Sequence, residues 1–185
     1  TYARRDRDRL RGPHRTPGRV LLIRAGRPDT TTTGENAVSD AHLASPFQPL
    51  DVDTLARRCR ELAPWPAMRT YLKEAQGWLN ERFRAGDDIR DLVQGRAALI
   101  DDVLVAAWRT FGLADRVDTA LVATGGYGRG ELHPGSDVDI LVLLADGSGD
   151  AHEPEISAFI TFLWDAGLEI GSSVRTLDEC VEQAR

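Results

Sequence analysis

Apolar residues in this chain follow one period in the first half and another in the second. Met68, Leu72, Ala75, Leu79 and Phe83 recur at helical spacing and predict an amphipathic helix over 67–84, with Gly86 as its stop. Asp87 or Asp88 can cap the next helix, which runs to about Phe111. Its apolar stripe is broad: Leu92, Leu99, Ile100, Val103, Leu104, Ala107, Trp108 and Phe111, with Gly112 as the expected end. A shorter helix is expected over 51–63, with Leu55 and Leu62 facing inward and Pro64 and Pro66 ending it. Beyond Gly112 the pattern changes to short apolar runs. Ala120 to Thr124 and Val138 to Leu144 read as buried strands, and Leu168 to Thr176 as a third. Between them, Asp146 to Pro154 reads as a polar turn, and 155–166 as a helix with Ile156, Phe159, Ile160, Leu163 and Trp164 on one side. Leu177 begins a last helix. Helices first, then strand, loop, strand, helix and strand make an α+β (mixed α/β) domain with a small sheet in its second half.

Residues 1–50 show no sustained period. They carry five prolines, a Thr30–Thr33 run and one apolar patch, Val20 to Ile23. This composition predicts a disordered segment or an extension outside the functional fold. Residues 51–112 then form a helical lead-in and 113–185 the core of the domain. Charge divides the same way. Residues 1–24 hold eight arginines against two aspartates, a net of +6, while the remainder holds 15 basic and 27 acidic residues, a net of −12. So acidic a body argues against a specific nucleic-acid binder. For the basic arm a solvated tail is the first reading, with RNA or anionic lipid as the alternative partners. No run approaches the roughly 18 apolar residues of a membrane span, and the arginine-rich start lacks the apolar middle of a signal peptide. A soluble cytoplasmic protein with no membrane partner is expected. Cys59 and Cys180 sit in no metal or redox spacing and read as two free thiols.

The chemistry is concentrated in Gly125-Gly126-Tyr127-Gly128-Arg129-Gly130-Glu131-Leu132-His133-Pro134-Gly135-Ser136-Asp137-Val138-Asp139. Asp137 and Asp139, two apart at the start of a strand, put both carboxylates on one face, with Cα atoms roughly 6.5–7 Å apart. Two such carboxylates repel unless a cation lies between them. Mg²⁺ suits one or two carboxylates completed by substrate phosphates. Gly125 and Gly126 follow a strand directly, so the backbone can turn sharply and its N–H groups can face an anion. Ser136 can donate to a phosphate oxygen, and Arg129 can neutralise charge developing on a triphosphate. Other glycine motifs fail: a dinucleotide fingerprint begun at Gly126 meets Glu131 in place of its third glycine, and no lysine follows as a P-loop requires.

The Gly-Gly pair, spacer and Asp-x-Asp resemble the nucleotidyltransferase superfamily, which implies a polymerase β-like fold. Leu121 to Pro134, with a second block from Phe162 to Leu177, is similar to the bifunctional uridylyltransferase/uridylyl-removing enzymes of bacterial nitrogen control. The resemblance covers about residues 70–185, including the helix from Asp87 to Phe111, and not the first fifty. It implies transfer of UMP from UTP, with Mg²⁺, to a tyrosine of the PII signalling protein. Gly125 and Gly126 would hold the triphosphate, and Asp137 and Asp139 the metals. One ion would activate the tyrosine hydroxyl and the other would stabilise the leaving pyrophosphate. A third carboxylate is usual in the superfamily. Glu169 is the candidate here, with a plain surface glutamate as the equal alternative.

Other residues keep two readings. Arg175 faces the nucleotide or forms a structural ion pair. Tyr127 packs the loop, with base stacking as the alternative. His133-Pro134 shapes the loop, and Trp164 anchors its helix in the core. Ser172 stands where the related enzymes usually have histidine. No histidine precedes an aspartate, so the hydrolytic activity and ligand sensing of those longer enzymes are not expected, and the chain reads as a fragment or truncated product. Two further functions stay open: adenylyl transfer within the same superfamily, and a catalytically silent remnant that binds nucleotide or PII. The bare chemistry does not distinguish UTP from ATP.

Overall fold

The computed structural model describes residues 47–61 and 64–183. Three helices come first: α1 (Val52–Glu61), α2 (Pro64–Ala85) and α3 (Ile89–Thr110). A 3-10 turn at Leu113–Asp115 leads to β1 (Thr119–Ala123) and the one-turn helix α4 (Gly125–Gly128). Then come β2 (Val138–Leu144), α5 (Gly149–Asp165), β3 (Ile170–Thr176) and α6 (Leu177–Gln183). The order is the α+β order that the periodicity predicts.

The helix ends follow local chemistry. Asp88 caps α3, its carboxylate accepting from the Arg90 N–H at 2.7 Å. Gly86 and Gly112 follow α2 and α3 with φ of 94° and 72°, left-handed values that cost glycine no Cβ clash. Helix α1 ends ahead of Pro64 and Pro66, as expected, but the two prolines are not a break between helices. They open α2, because a proline in the first turn gives up an N–H that would have no intrahelical partner. The stretch 146–154 is likewise not all turn. Helix α5 begins at Gly149 and runs through Pro154, giving up one backbone bond near its start. Burial of His152 and Ile156 on its inner face offsets that loss.

Nearly every residue of the predicted α3 stripe is buried, with Trp108 fully so. Its ring meets Phe159 of α5 edge to face at 5.1 Å. Phe159, Phe162, Leu163 and Ala166 form the inner face of α5. Trp164 falls outside that stripe and is 56% exposed, so it does not anchor the helix in the core. Phe83 also departs from expectation. It lies one turn past Leu79, the last buried position of α2, and is 62% exposed. Phe47 stacks obliquely on Tyr71 at 5.5 Å and Leu50 joins the core, so the ordered fold begins before residue 51. The expectations for residues 1–46 and for Leu62 lie outside the described residues. Cys59 is buried and Cys180 half-buried, and neither is in a disulfide among the described residues. Among the described residues, no helix is long and apolar enough to cross a membrane.

The sheet has the order β1-β2-β3, with β1 antiparallel and β3 parallel to the central β2. Val138, Ile140, Val142 and Leu144 alternate into the core, where they share one cluster with the inner faces of α3 and α5. Asp139, Leu141 and Leu143 point to the other, half-open face. At the far end of the sheet, the buried His152 meets Asp118 through Nε2 at 2.8 Å. That bond holds the Asp118 carboxyl below the usual carboxylate range. The Asp118 carbonyl accepts from the Ala145 N–H at 2.9 Å, which ties this corner to β2.

Candidate active site

The site is built where β1 ends and β2 begins. The Thr124 N–H donates to the Asp139 carbonyl at 2.9 Å, so the β1–β2 ladder continues to the first residue of the glycine loop. The chain then winds one helical turn. Gly128 N–H donates to the Thr124 carbonyl at 2.6 Å, and the Gly126 carbonyl accepts from Arg129 at 3.1 Å and from Glu131 at 3.0 Å. Gly125 has a φ of 59°, a left-handed value that disfavours any other residue. Its missing side chain also matters sterically: a methyl group there would overlap Asp139 Oδ2.

Asp139 is half-buried on the open face of the sheet. The parallel register pairs it with Gly171 of β3, and a β-carbon at 171 would lie 2.5 Å from Asp139 Oδ1. The carboxylate is therefore flanked by two glycines, one from the loop and one from β3. Sequence reasoning found Gly125 but missed Gly171. The only signal was its place two residues after Glu169 in the second similar block. A glycine inside a strand marks a close approach, and the register shows what approaches.

Asp137 lies just before β2 and is exposed, as are Ser136 and His133. Ser136 N–H donates to the His133 carbonyl at 3.1 Å, closing a turn around Pro134 and Gly135 that delivers the two aspartates. Val138 N–H donates to the Glu169 carbonyl at 2.8 Å. Extending the Val138–Ile170 register by one step sets exposed Glu169 alongside Asp137. Among the described residues, no group of three or more His, Cys, Asp and Glu side chains is gathered closely enough to form a metal site. Arg129 is about half exposed and folds back on the loop. Its Nε donates to Glu131 Oε2 at 2.8 Å and its Nη1 to the Gly125 carbonyl at 3.0 Å.

Two residues sit elsewhere. Arg175 is four residues beyond Gly171, roughly 13 Å along the strand. It stands in an open cleft with Val174, Glu179 and Glu182, and the structure does not bring it to the aspartates. Tyr127 is buried, its hydroxyl donating to Asp101 Oδ1 at 2.6 Å, so it packs the loop rather than presenting a ring for stacking.

Chemically, the arrangement offers two carboxylates at the mouth of a strand, one of them seated in the room that Gly125 and Gly171 leave for it, and a tight backbone turn beside it. Such a donor set fits a hard divalent cation whose remaining ligands are phosphate oxygens.

Residues 108–181 match the nucleotidyltransferase domain family, and so span β1, the glycine loop, β2 and β3. Proteins named bifunctional uridylyltransferase/uridylyl-removing enzyme are similar to the chain over 123 residues. Identity is 51% for that of Pseudomonas putida (strain W619), 48% for Pseudomonas fluorescens (strain SBW25) and 47% for Stutzerimonas stutzeri (strain A1501). The match covers 66% of this chain and 14% of each relative. No solved structure matches.

Proposed function

We propose, for a chain that carries a nucleotidyltransferase domain over residues 108–181, that the site transfers UMP from UTP to a tyrosine of the PII signalling protein, in the cytoplasm and with Mg²⁺. The observation that carries the reading is the Asp139 carboxylate held between Gly125 and Gly171 at the start of the loop. The uridylyl group rests on the similarity to relatives named for uridylyl transfer. PII and the tyrosine rest on the resemblance of the loop and of the second block to the nitrogen-control enzymes.

Asp137 and Asp139 would hold Mg²⁺, with Glu169 as the third carboxylate through its place beside Asp137. When bound, the metal would neutralise phosphate charge and stabilise the leaving pyrophosphate. The chain's own part is position and charge. Gly125 and Gly126 let the backbone approach the triphosphate. Arg129 exchanges its contacts to Glu131 and the Gly125 carbonyl for the phosphates, and Ser136 donates to a phosphate oxygen. The target hydroxyl then displaces pyrophosphate from the α-phosphorus, aligned by groups fixed beforehand.

The test offers the chain PII, Mg²⁺ and either UTP or ATP labelled at the α-phosphate. Label entering PII from UTP and not from ATP is the expected result. Label from ATP alone would replace uridylyl by adenylyl transfer. No label from either, with the chain shown to be folded, would overturn the reading.

A further inference from the structure

The loop that carries Gly125 is poor in anchors. Of residues 125–130, four are glycine, and a glycine-rich turn loses the most conformational entropy when it is fixed. Only Tyr127 and Arg129 carry side chains there. Arg129 is half exposed and bonds to Glu131 and the Gly125 carbonyl, both in the same loop. Tyr127 is 1% exposed, and its hydroxyl donates to Asp101 Oδ1 at 2.6 Å. Asp101 lies on α3, 26 residues earlier in the chain, and is itself 6% exposed. A carboxylate buried on a helix face that it shares with the buried Ala97, Leu104 and Trp108 is costly unless a hydrogen bond answers it. One hydrogen bond to this carboxylate comes from the loop at the candidate site.

From this we infer that Asp101 is a positioning residue: through Tyr127 it fixes the Gly125–Gly128 turn against the helical layer, and so sets where the backbone meets a nucleoside triphosphate. The inference rests on the reading of the loop as a triphosphate site. Asp101 touches neither nucleotide nor metal. Its contribution is to make one loop conformation the dominant one before the ligand arrives, which removes an ordering cost from binding.

A core role alone would give a different pattern, and a pair of variants separates the two. Tyr127→Phe keeps the ring and removes the hydroxyl that donates to the Asp101 carboxylate, so both melting temperature and nucleotide binding should fall. Adding Asp101→Leu removes the buried carboxyl as well, and two apolar partners of similar shape restore stability. The tether stays broken, however. The experiment measures melting temperature and the dissociation constant for Mg²⁺·UTP by calorimetry on the full 185-residue chain. For Asp101→Leu/Tyr127→Phe the expected result is a melting temperature close to that of the unaltered chain, with Mg²⁺·UTP bound about tenfold more weakly, a fold-change within the range set by loop pre-ordering. Binding that recovers along with stability would overturn the tether and leave the site reading intact. An unaltered chain that binds no Mg²⁺·UTP would overturn both. If the double variant does not fold, Asp101→Asn decides. It keeps the acceptor oxygen, so it should bind Mg²⁺·UTP within about twofold of the unaltered chain while Tyr127→Phe does not. Equal loss in both variants would overturn the tether.

Discussion

Asp139 and Gly171 are direct neighbours across the parallel β2–β3 ladder, and the Asp139 carboxylate occupies the space that a side chain at position 171 would need. The clash that a substitution creates is with the far end of Asp139, not with backbone. The cost should therefore fall on the carboxylate's position more than on the fold.

Gly171→Ala should lower UMP transfer by about 10²-fold or more, the scale of a misplacement of order 1 Å at a reacting centre. Stability should change by no more than about 1 kcal/mol, since alanine in a strand recovers backbone entropy. Steady-state transfer rates alongside melting curves check this. Undiminished activity would show that the Asp139 carboxylate has no fixed place in the reaction.

Gly77→Ala is the matched control. Gly77 lies inside α2 with open space around it, so alanine there meets nothing. Denaturant unfolding should show a gain of about 0.5–1 kcal/mol with transfer unchanged. A loss of activity would mean that α2 takes part in the reaction in a way its position does not suggest.

Phe159→Ala should remove about 3–5 kcal/mol of stability. Phe159 is fully buried between Trp108 and Phe111, joining α5 to α3 beneath the sheet. Urea titration reads the loss directly, and a change below about 1 kcal/mol would contradict the packing described.

Asp118 gives a pH dependence. Its bond to His152 lowers the folded pKa below the ordinary value of 3.8. The resulting stabilisation is fully present above that value and is lost as pH falls through the lower, folded one. Asp118→Asn should therefore melt below the unaltered chain at about pH 6, with the gap closing as pH drops below 3.8. Melting temperature followed against pH for both proteins is the check, and a gap unchanged down to about pH 2 would contradict it.

The sequence was most legible where one residue's chemistry settles the local outcome. The α3 stripe, the Asp88 cap and the stops at Gly86 and Gly112 each follow from a short-range rule, and the structure has them in place. It was less legible where tertiary contact decides. Pro64, Pro66 and Pro154 read as breaks, yet early helix turns accommodate them. Trp164 and Phe83 look like core residues by type but fall just outside the buried stripe or past its last covered turn. At the site, Gly125 and Asp139 stand out because they belong to one continuous string. Gly171 and Asp101 did not, because strand register and helix packing bring them there from 32 residues later and 38 earlier than Asp139.

The central claim is that Asp139 acts as a carboxylate in metal-dependent nucleotidyl transfer, and Asp139→Asn tests it most directly. Asparagine keeps the size that fits between Gly125 and Gly171 and removes the negative charge. Transfer of label from α-labelled UTP to PII should fall below detection at every Mg²⁺ concentration. The melting temperature should stay level or rise, because the repulsion between Asp137 and residue 139 is gone. A folded Asp139→Asn chain that labels PII as fast as the unaltered one would contradict the account.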